Sequence, residues 1–125
     1  MKLQPDQSDA PTISAYGPGW VGVAGERITH SVIISSRGDR IAWASSRFED
    51  LDLSHFEQLA QISAEVVIFG SGHRIRFPKA AWLQPLMAKR IGLETMDTPA
   101  ACRTYNILAQ EGRDVAVALL LEETA

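Results

Sequence analysis

Cysteine is nearly absent from this sequence, since Cys102 is the only one among 125 residues. A single thiol excludes an internal disulfide and a cysteine-based metal cluster within one chain, and it fits a reducing compartment. Histidine is scarce as well, and the three present (His30, His55 and His73) form neither a His-x-His nor a His-x3-His pair. This spacing gives no metal-binding motif, so we expect no metal site.

A surplus of positive charge is also missing. Twelve Lys and Arg against 15 Asp and Glu give a net charge of -3, which argues against nucleic-acid binding as the main task. The longest apolar run, residues 115–121, covers seven residues, whereas a membrane span needs roughly 18. The N-terminus is polar, carries acidic residues and is poor in Arg, unlike a secretory signal or an organelle presequence. We therefore expect a cytoplasmic protein that lacks a membrane span.

The rest of the composition is ordinary for one folded domain, with 46% hydrophobic and 22% charged residues. Residues 1–12 contain two prolines among polar side chains, which predicts a flexible N-terminal arm followed by a single α/β domain over residues 13–125. Short apolar and β-branched segments separated by glycine turns over residues 13–44 predict a β-meander. Further on, Ser54 and Glu57 have the spacing of a capping box, which predicts a helix over residues 54–61.

Residues 65–121 predict a strand–helix–strand–helix–strand unit. Residues 66–69 are continuously apolar, as in a strand buried on both faces. In the first helix Pro85 should produce a kink or a second start at Gln84, and Gly92 should cap the end. Strands joined by such helices are usually parallel, whereas the last strand could be parallel, or antiparallel at an edge.

Two turns of this unit fall at the carboxyl ends of strands, where α/β sheets bind ligands. One is Gly70-Ser71-Gly72; in the other, residues 97–99, Asp97 or Thr98 should cap a helix whose first turn holds Pro99. Glycine permits close backbone approach, and a helix N-terminus favours anions. The motif is too short for a dinucleotide fingerprint and lacks the ending of a P-loop, so we expect no cofactor. A tight strand exit without a ligand explains the glycines equally.

Basic residues follow the glycine turn, and residues 66–93 contain no acid. Arg74 and Arg76 alternate with Ile75 and Phe77, so in a strand both guanidinium groups would point to one face. With Lys79 they form a candidate docking patch for a partner or an anion. The alternative is a solvated strand face whose other side packs in the core.

The helix after Asp97 is more polar than one that only covers a sheet needs to be. Cys102 lies near its start beside Arg103, a setting that can lower a thiol pKa, but a free Cys is usually a small buried hydrophobe. Of the histidines only His73 could reach this edge as a base, so we assign no catalytic residue. The candidate ligand or partner site comprises Gly70, Ser71, Gly72, Asp97, Thr98, Cys102, Arg103 and Asn106.

Residues 90–108 (RIGLETMDTPAACRTYNIL) form a distinctive run. Together with residues 16–18 (YGP) and 69–72 (FGSG), they resemble a family of small bacterial and archaeal proteins of unknown function. This family is related to the mitochondrial respiratory complex I assembly factor 3 proteins. Most members have Thr where this chain has Ser71, so the hydroxyl is kept. The resemblance implies a three-layer α/β fold, with a central mixed sheet flanked by helices and a β-rich first half.

For function, the resemblance implies a non-catalytic partner in assembly, because the mitochondrial relatives work with a second assembly factor at the inner membrane. The leading hypothesis is an accessory protein that binds another protein in the assembly of a membrane respiratory complex and could reach the membrane peripherally through that partner. The alternative is a protein that binds a small molecule or an anion, and such a protein could be an enzyme. It would use the Gly70–Gly72 turn and the start of the helix at Asp97–Arg103.

Overall fold

The computed structural model describes residues 10–122, which form two sheets and three α-helices. Of the arm predicted at residues 1–12, residues 1–9 lie outside the described residues. Ala10 packs against one of the two hydrophobic cores, and the carbonyl of Pro11 accepts a hydrogen bond from Tyr105 at 2.7 Å.

A small antiparallel meander contains β1 (Ile13–Gly17), β2 (Trp20–Val23) and β3 (Glu26–Ile28). The main sheet has the strand order β5-β4-β8-β6-β7. Its strands are β4 (Val32–Ser35), β5 (Arg40–Ala42), β6 (Val66–Gly70), β7 (Gly92–Met96) and β8 (Val115–Leu119). Strands β6, β7 and β8 are parallel, and β4 is antiparallel to both of its neighbours. The main sheet is therefore mixed, as predicted.

Three α-helices cover the two faces of the main sheet: α1 (Leu53–Ala60), α2 (Gln84–Ala88) and α3 (Thr98–Gln110). Short 3-10 turns, Phe48–Asp50 and Ala80–Leu83, precede α1 and α2. Within residues 10–122 no helix combines the length and hydrophobicity needed to cross a membrane.

Alternation along the central strands divides the core into two. Val67 and Phe69 of β6 point towards α1 and α2, whereas Ile68 points towards α3 and the small meander. In β8, Ala116 and Ala118 point towards α1 and α2, whereas Val115, Val117 and Leu119 point towards α3 and the small meander. The predicted three-layer fold, with a central mixed sheet, flanking helices and a β-meander in the first half, is confirmed.

Of the two possibilities left open for the last strand, the parallel one is observed and the antiparallel edge position is not. β8 lies in the middle of the sheet, parallel to β6 and antiparallel to β4. All five of its residues are buried, which explains the continuous apolar run. Strand order follows from long-range pairing, which local spacing does not encode.

Two helix ends also differ from the predictions. Asp52, not Ser54, caps α1: its carboxylate accepts the Ser54 amide at 2.9 Å, and His55 completes the capping box. Gly92 does not cap α2, because the helix ends at Ala88, Arg90 takes the left-handed conformation (φ 58°), and Gly92 begins β7. The predicted second start at Gln84 is confirmed.

Candidate functional site

The carboxyl ends of three parallel strands meet at one edge of the main sheet. Gly70 pairs with Met96 on one side and with Leu119 on the other. The connection after β6 leads to the face covered by α2, and the connection after β7 leads to α3 on the opposite face. Ligands of open α/β sheets bind at such divergence points.

Thr98 joins the glycine turn, the start of α3 and the chain beyond β8. Its hydroxyl accepts the Gly72 amide at 2.9 Å and donates to the Leu120 carbonyl at 3.0 Å. Its own amide donates to the Gly72 carbonyl at 2.8 Å. The backbone donor that could have bound an anion at Gly72 is therefore already used inside the fold.

Gly72 has a φ of +113°, which side chains rarely tolerate. A Cβ at this position would overlap the carboxylate of Glu122 and the guanidinium of Arg76. At Gly70 a Cβ would lie 3.0 Å from the side chain of Ala101. Both glycines are thus needed for close packing. This agrees with the interpretation that they form a tight strand exit without a ligand.

Ser71 and Arg76 hold the loop that follows. The Ser71 hydroxyl accepts the Arg76 amide at 2.7 Å, and the Ser71 carbonyl accepts a guanidinium N–H at 2.7 Å. The same guanidinium pairs with the Glu122 carboxylate at 2.6 Å. Burial opposes ionisation of Glu122, but hydrogen bonds from Arg76 and His73 outweigh it and lower the carboxyl pKa.

The predicted alternation of residues 74–77 is wrong because these residues do not form a strand. Arg76 turns inward, with only 13% of its side chain exposed. Ile75 and Phe77, which the alternative of a solvated strand face placed in the core, are 47% and 69% exposed. Arg74 and Lys79 are exposed, so the candidate docking patch retains two of its three cations at the surface.

The start of α3 is occupied by its own side chains. The Asp97 carboxylate caps the helix by accepting the Ala100 amide at 2.8 Å. Cys102 is fully buried, and desolvation raises the pKa of its thiol to about 12 although Arg103 opposes this. His73 hydrogen-bonds instead to Glu122, at 2.7 Å. Neither Asp97 nor Cys102 is thus arranged as a reactive group.

The polar side chains further along α3 contact the N-terminal meander. Asn106 accepts the amide of Ile13 and donates to its carbonyl, both at 2.8 Å, as a neighbouring strand would. Arg103 donates to the Tyr16 hydroxyl at 2.8 Å. With the Tyr105 contact to the arm, these bonds attach β1 to α3. Cys102, Arg103 and Asn106 therefore do not form one site with the glycine turn. Arg103 and Asn106 hold β1 against α3, and Cys102 packs in the core.

A cavity of about 690 Å³ opens beside the glycine turn. It is lined by the β1–β2 turn, the glycine turn, the start of α3 and the chain beyond β8: Tyr16, Gly17, Pro18, Gly19, Gly72, His73, Thr98, Pro99, Leu120, Leu121 and Glu122. Of the predicted site residues only Gly72 and Thr98 line it. Its walls are mainly apolar.

The sequence interpretation missed the contributions of the β1–β2 turn and of Glu122 to this site. A signal existed for Glu122, because it is an acid that closely follows a buried strand, where carboxyl-end residues gather. Using that signal requires knowing that β8 lies next to β6. Within residues 10–122, no cluster of three or more His, Cys, Asp and Glu side chains could hold a metal ion.

Comparison with known proteins bears out the resemblance. The human protein named NADH dehydrogenase (ubiquinone) 1 alpha subcomplex assembly factor 3 is 28% identical over 127 residues, covering 94% of this chain and 65% of the human protein. This chain thus spans just under two thirds of that relative's length. An uncharacterized protein of Rhodobacter capsulatus is 32% identical over 118 residues, covering 94% of this chain and 90% of its own.

The fold is shared with a solved relative. The crystal structure of a protein from Bordetella parapertussis has 38% sequence identity and a TM-score of 0.84, covering 90% of this chain and 97% of that one. Residues 13–120 match the family described as "Protein of unknown function (DUF498/DUF598)". With this match over nearly the whole described chain, the protein belongs to the DUF498/DUF598 family.

Proposed function

We propose that this protein is a non-catalytic accessory protein of the cytoplasm that binds another protein and assists the assembly of a membrane respiratory complex. The observation that carries the proposal is the cavity beside Gly72, a preformed and mainly apolar recess in the surface. Such a recess suits the apolar side chains that anchor protein contacts. The name of the human relative supports the assembly role.

The rigidity of the cavity walls supports binding without large rearrangement. Thr98 fixes three of the wall segments through buried hydrogen bonds, and Glu122 is held by Arg76 and His73. A preorganised surface loses less conformational entropy when it binds. The same bonds occupy the polar groups that an enzyme would need free, which favours an accessory role over catalysis.

Affinity purification from native lysate tests this proposal. Tagged wild-type protein should recover a stoichiometric partner, and Pro99→Arg should abolish recovery, because Pro99 lines the cavity and is partly exposed. The matched control is Ile107→Arg, which places the same residue on an exposed position of the same helix outside the cavity. Recovery of no partner, or equal recovery with both variants, would contradict the proposal.

A second candidate function is the binding of a small molecule in this cavity, because its volume lies within the range of typical ligand pockets. Its mainly apolar walls and the internal use of the Gly72 amide favour an apolar ligand over an anion. Ligand binding raises the melting temperature by mass action. A thermal-shift screen with apolar metabolite-like compounds and with phosphate would separate the two classes, and Pro99→Arg should remove any stabilisation.

A further inference from the structure

Residues 73–79, hereafter the basic loop, expose their apolar side chains and bury one of their charges. Phe77 is 69% exposed and Ile75 is 47% exposed, whereas the Arg76 side chain between them is 13% exposed. This reverses the usual preference for apolar groups inside and charges outside. An exposed apolar pair on a soluble fold often marks an interaction surface.

The exposure of Ile75 and Phe77 is fixed by bonds beneath the loop. The backbone amide and the guanidinium of Arg76 are both bound by Ser71, and Glu122 binds the guanidinium and the His73 amide. Turning the two apolar side chains inward would require breaking this set. The fold therefore holds them outward.

Positive charge surrounds these apolar side chains. Arg74 and Lys79 are exposed, and within residues 10–122 neither takes part in an ion pair. No acidic residue occurs between positions 66 and 93, although the whole chain carries a net charge of -3. In space Glu122 and Glu49 lie beside Arg76, so the exposed cations Arg74 and Lys79 are the charges of this loop that complement an anionic partner.

The chemistry of the loop favours a lipid surface over a protein. Phe77 and Ile75 are exposed, and neither lines the neighbouring cavity, to which this loop contributes His73. A stable protein interface usually buries roughly 1,200–2,000 Å², far more than a few side chains of one loop provide. A bilayer interface needs no shape complementarity: apolar side chains enter below the headgroups while Lys and Arg contact the phosphates.

We propose that the basic loop binds the surface of an anionic bilayer, with Ile75 and Phe77 inserted into the interface and Arg74 and Lys79 at the lipid phosphates. This lies beyond the proposed function, because the contact is direct and does not need a protein partner. The four side chains proposed to contact lipid do not line the cavity beside Gly72, although His73 of the same loop does.

Cosedimentation with vesicles tests the proposal on the full chain. Wild-type protein should bind vesicles of phosphatidylcholine mixed with phosphatidylglycerol and not those of phosphatidylcholine alone, and salt should weaken binding by screening the charges. Phe77→Ser should lower the partition coefficient at least about tenfold, the order expected when one Phe side chain stays in water. Arg74→Glu should also reduce binding to the anionic vesicles.

The matched control is Ile107→Ser, which removes an aliphatic side chain that is 56% exposed on α3, in the opposite layer. It should bind vesicles like the wild type. Because Phe77 is exposed, its replacement should leave the melting temperature unchanged, so lost binding would not reflect unfolding. Absence of wild-type binding, unaltered binding by Phe77→Ser, or equal binding to both vesicle types would overturn the proposal. So would a protein captured through the same side chains.

Discussion

The ion pair between Arg76 and Glu122 should be one of the larger side-chain contributions to stability in this domain. Breaking an exposed ion pair costs about 0–1 kcal/mol, whereas removing one partner of a buried pair costs about 3–5 kcal/mol. Here the two side chains are only 13% and 16% exposed. We therefore expect Arg76→Met to lower the free energy of unfolding by about 2–3 kcal/mol at pH 7, between the two cases.

For a domain of this size, such a loss should lower the melting temperature by about 10 °C in calorimetry. The matched control is Arg37→Met, because Arg37 pairs with Asp114 at 2.9 Å on the surface, with 61% of the Arg side chain exposed. We expect its melting temperature to stay within experimental error of the wild type. Similar losses in both variants would refute the role given to burial.

The difference between wild type and Arg76→Met should depend on pH. Because the folded-state pKa of Glu122 lies below its ordinary value of 4.5, ionisation of this carboxyl stabilises the fold above that pH. The contribution should be complete at neutral pH and should disappear as the pH falls through the lowered folded-state pKa. Urea titrations of both proteins over this range measure it, and a difference as large in acid as at neutral pH would contradict the assignment.

A double-mutant cycle separates the ion pair from the packing of Arg76 over the Phe48 ring, 5.0 Å from its centroid. Arg76→Met, Glu122→Gln and the double variant should show a coupling energy of at least about 1 kcal/mol. A value below about 0.5 kcal/mol would mean that Arg76 stabilises the loop by packing and backbone contacts alone.

Three further predictions concern the same edge. Gly72→Ala should destabilise the domain by more than Gly38→Ala in urea unfolding. The two glycines have similar φ values of +113° and +106°, but only at Gly72 would the Cβ meet other atoms; equal effects would exclude the overlap. Thr98→Val should cost about 2–4 kcal/mol, because it leaves the amide and the carbonyl that its hydroxyl binds unsatisfied; a loss below about 1 kcal/mol would mean that water replaces the hydroxyl. Cys102 should react with a thiol reagent at neutral pH only on unfolding, because burial raises its pKa to about 12; rapid labelling of the native protein would refute this.

Much of this fold could be predicted from local pattern. The buried strand β6 is a continuous apolar run, and the start of α3 carries its own cap and proline. The sheet edge that holds the glycine turn and the start of α3 follows from the alternation of strands and helices along the chain. The cap of α1 shows the limit: the extended backbone of Asp52 decides which of two nearby polar side chains begins the helix, and spacing alone favoured Ser54.

The inward turn of Arg76 could not be predicted in this way. The alternation rule assumes a strand, but the chain leaves β6 through Gly72 in a conformation that ends the strand. The carboxylate that accepts the guanidinium, that of Glu122, lies far along the chain and becomes a neighbour only because β8 is inserted beside β6. The inward position of Arg76 therefore depends on the topology of the sheet.

The polar side chains of α3 and the apolar side chains of the basic loop differ in whether contacts inside the fold explain them. Arg103 and Asn106 make α3 more polar than a helix that only covers a sheet needs to be. Their hydrogen bonds to β1 explain both residues. In the described part of the chain, the bonds that shape the basic loop involve Ser71, Arg76, His73 and Glu122, and none of these bonds accounts for the outward side chains of Ile75 and Phe77. The exposed surface of these two side chains adds no burial free energy to the fold. A function served by contact with another surface is thus better sought at the basic loop than at the helix.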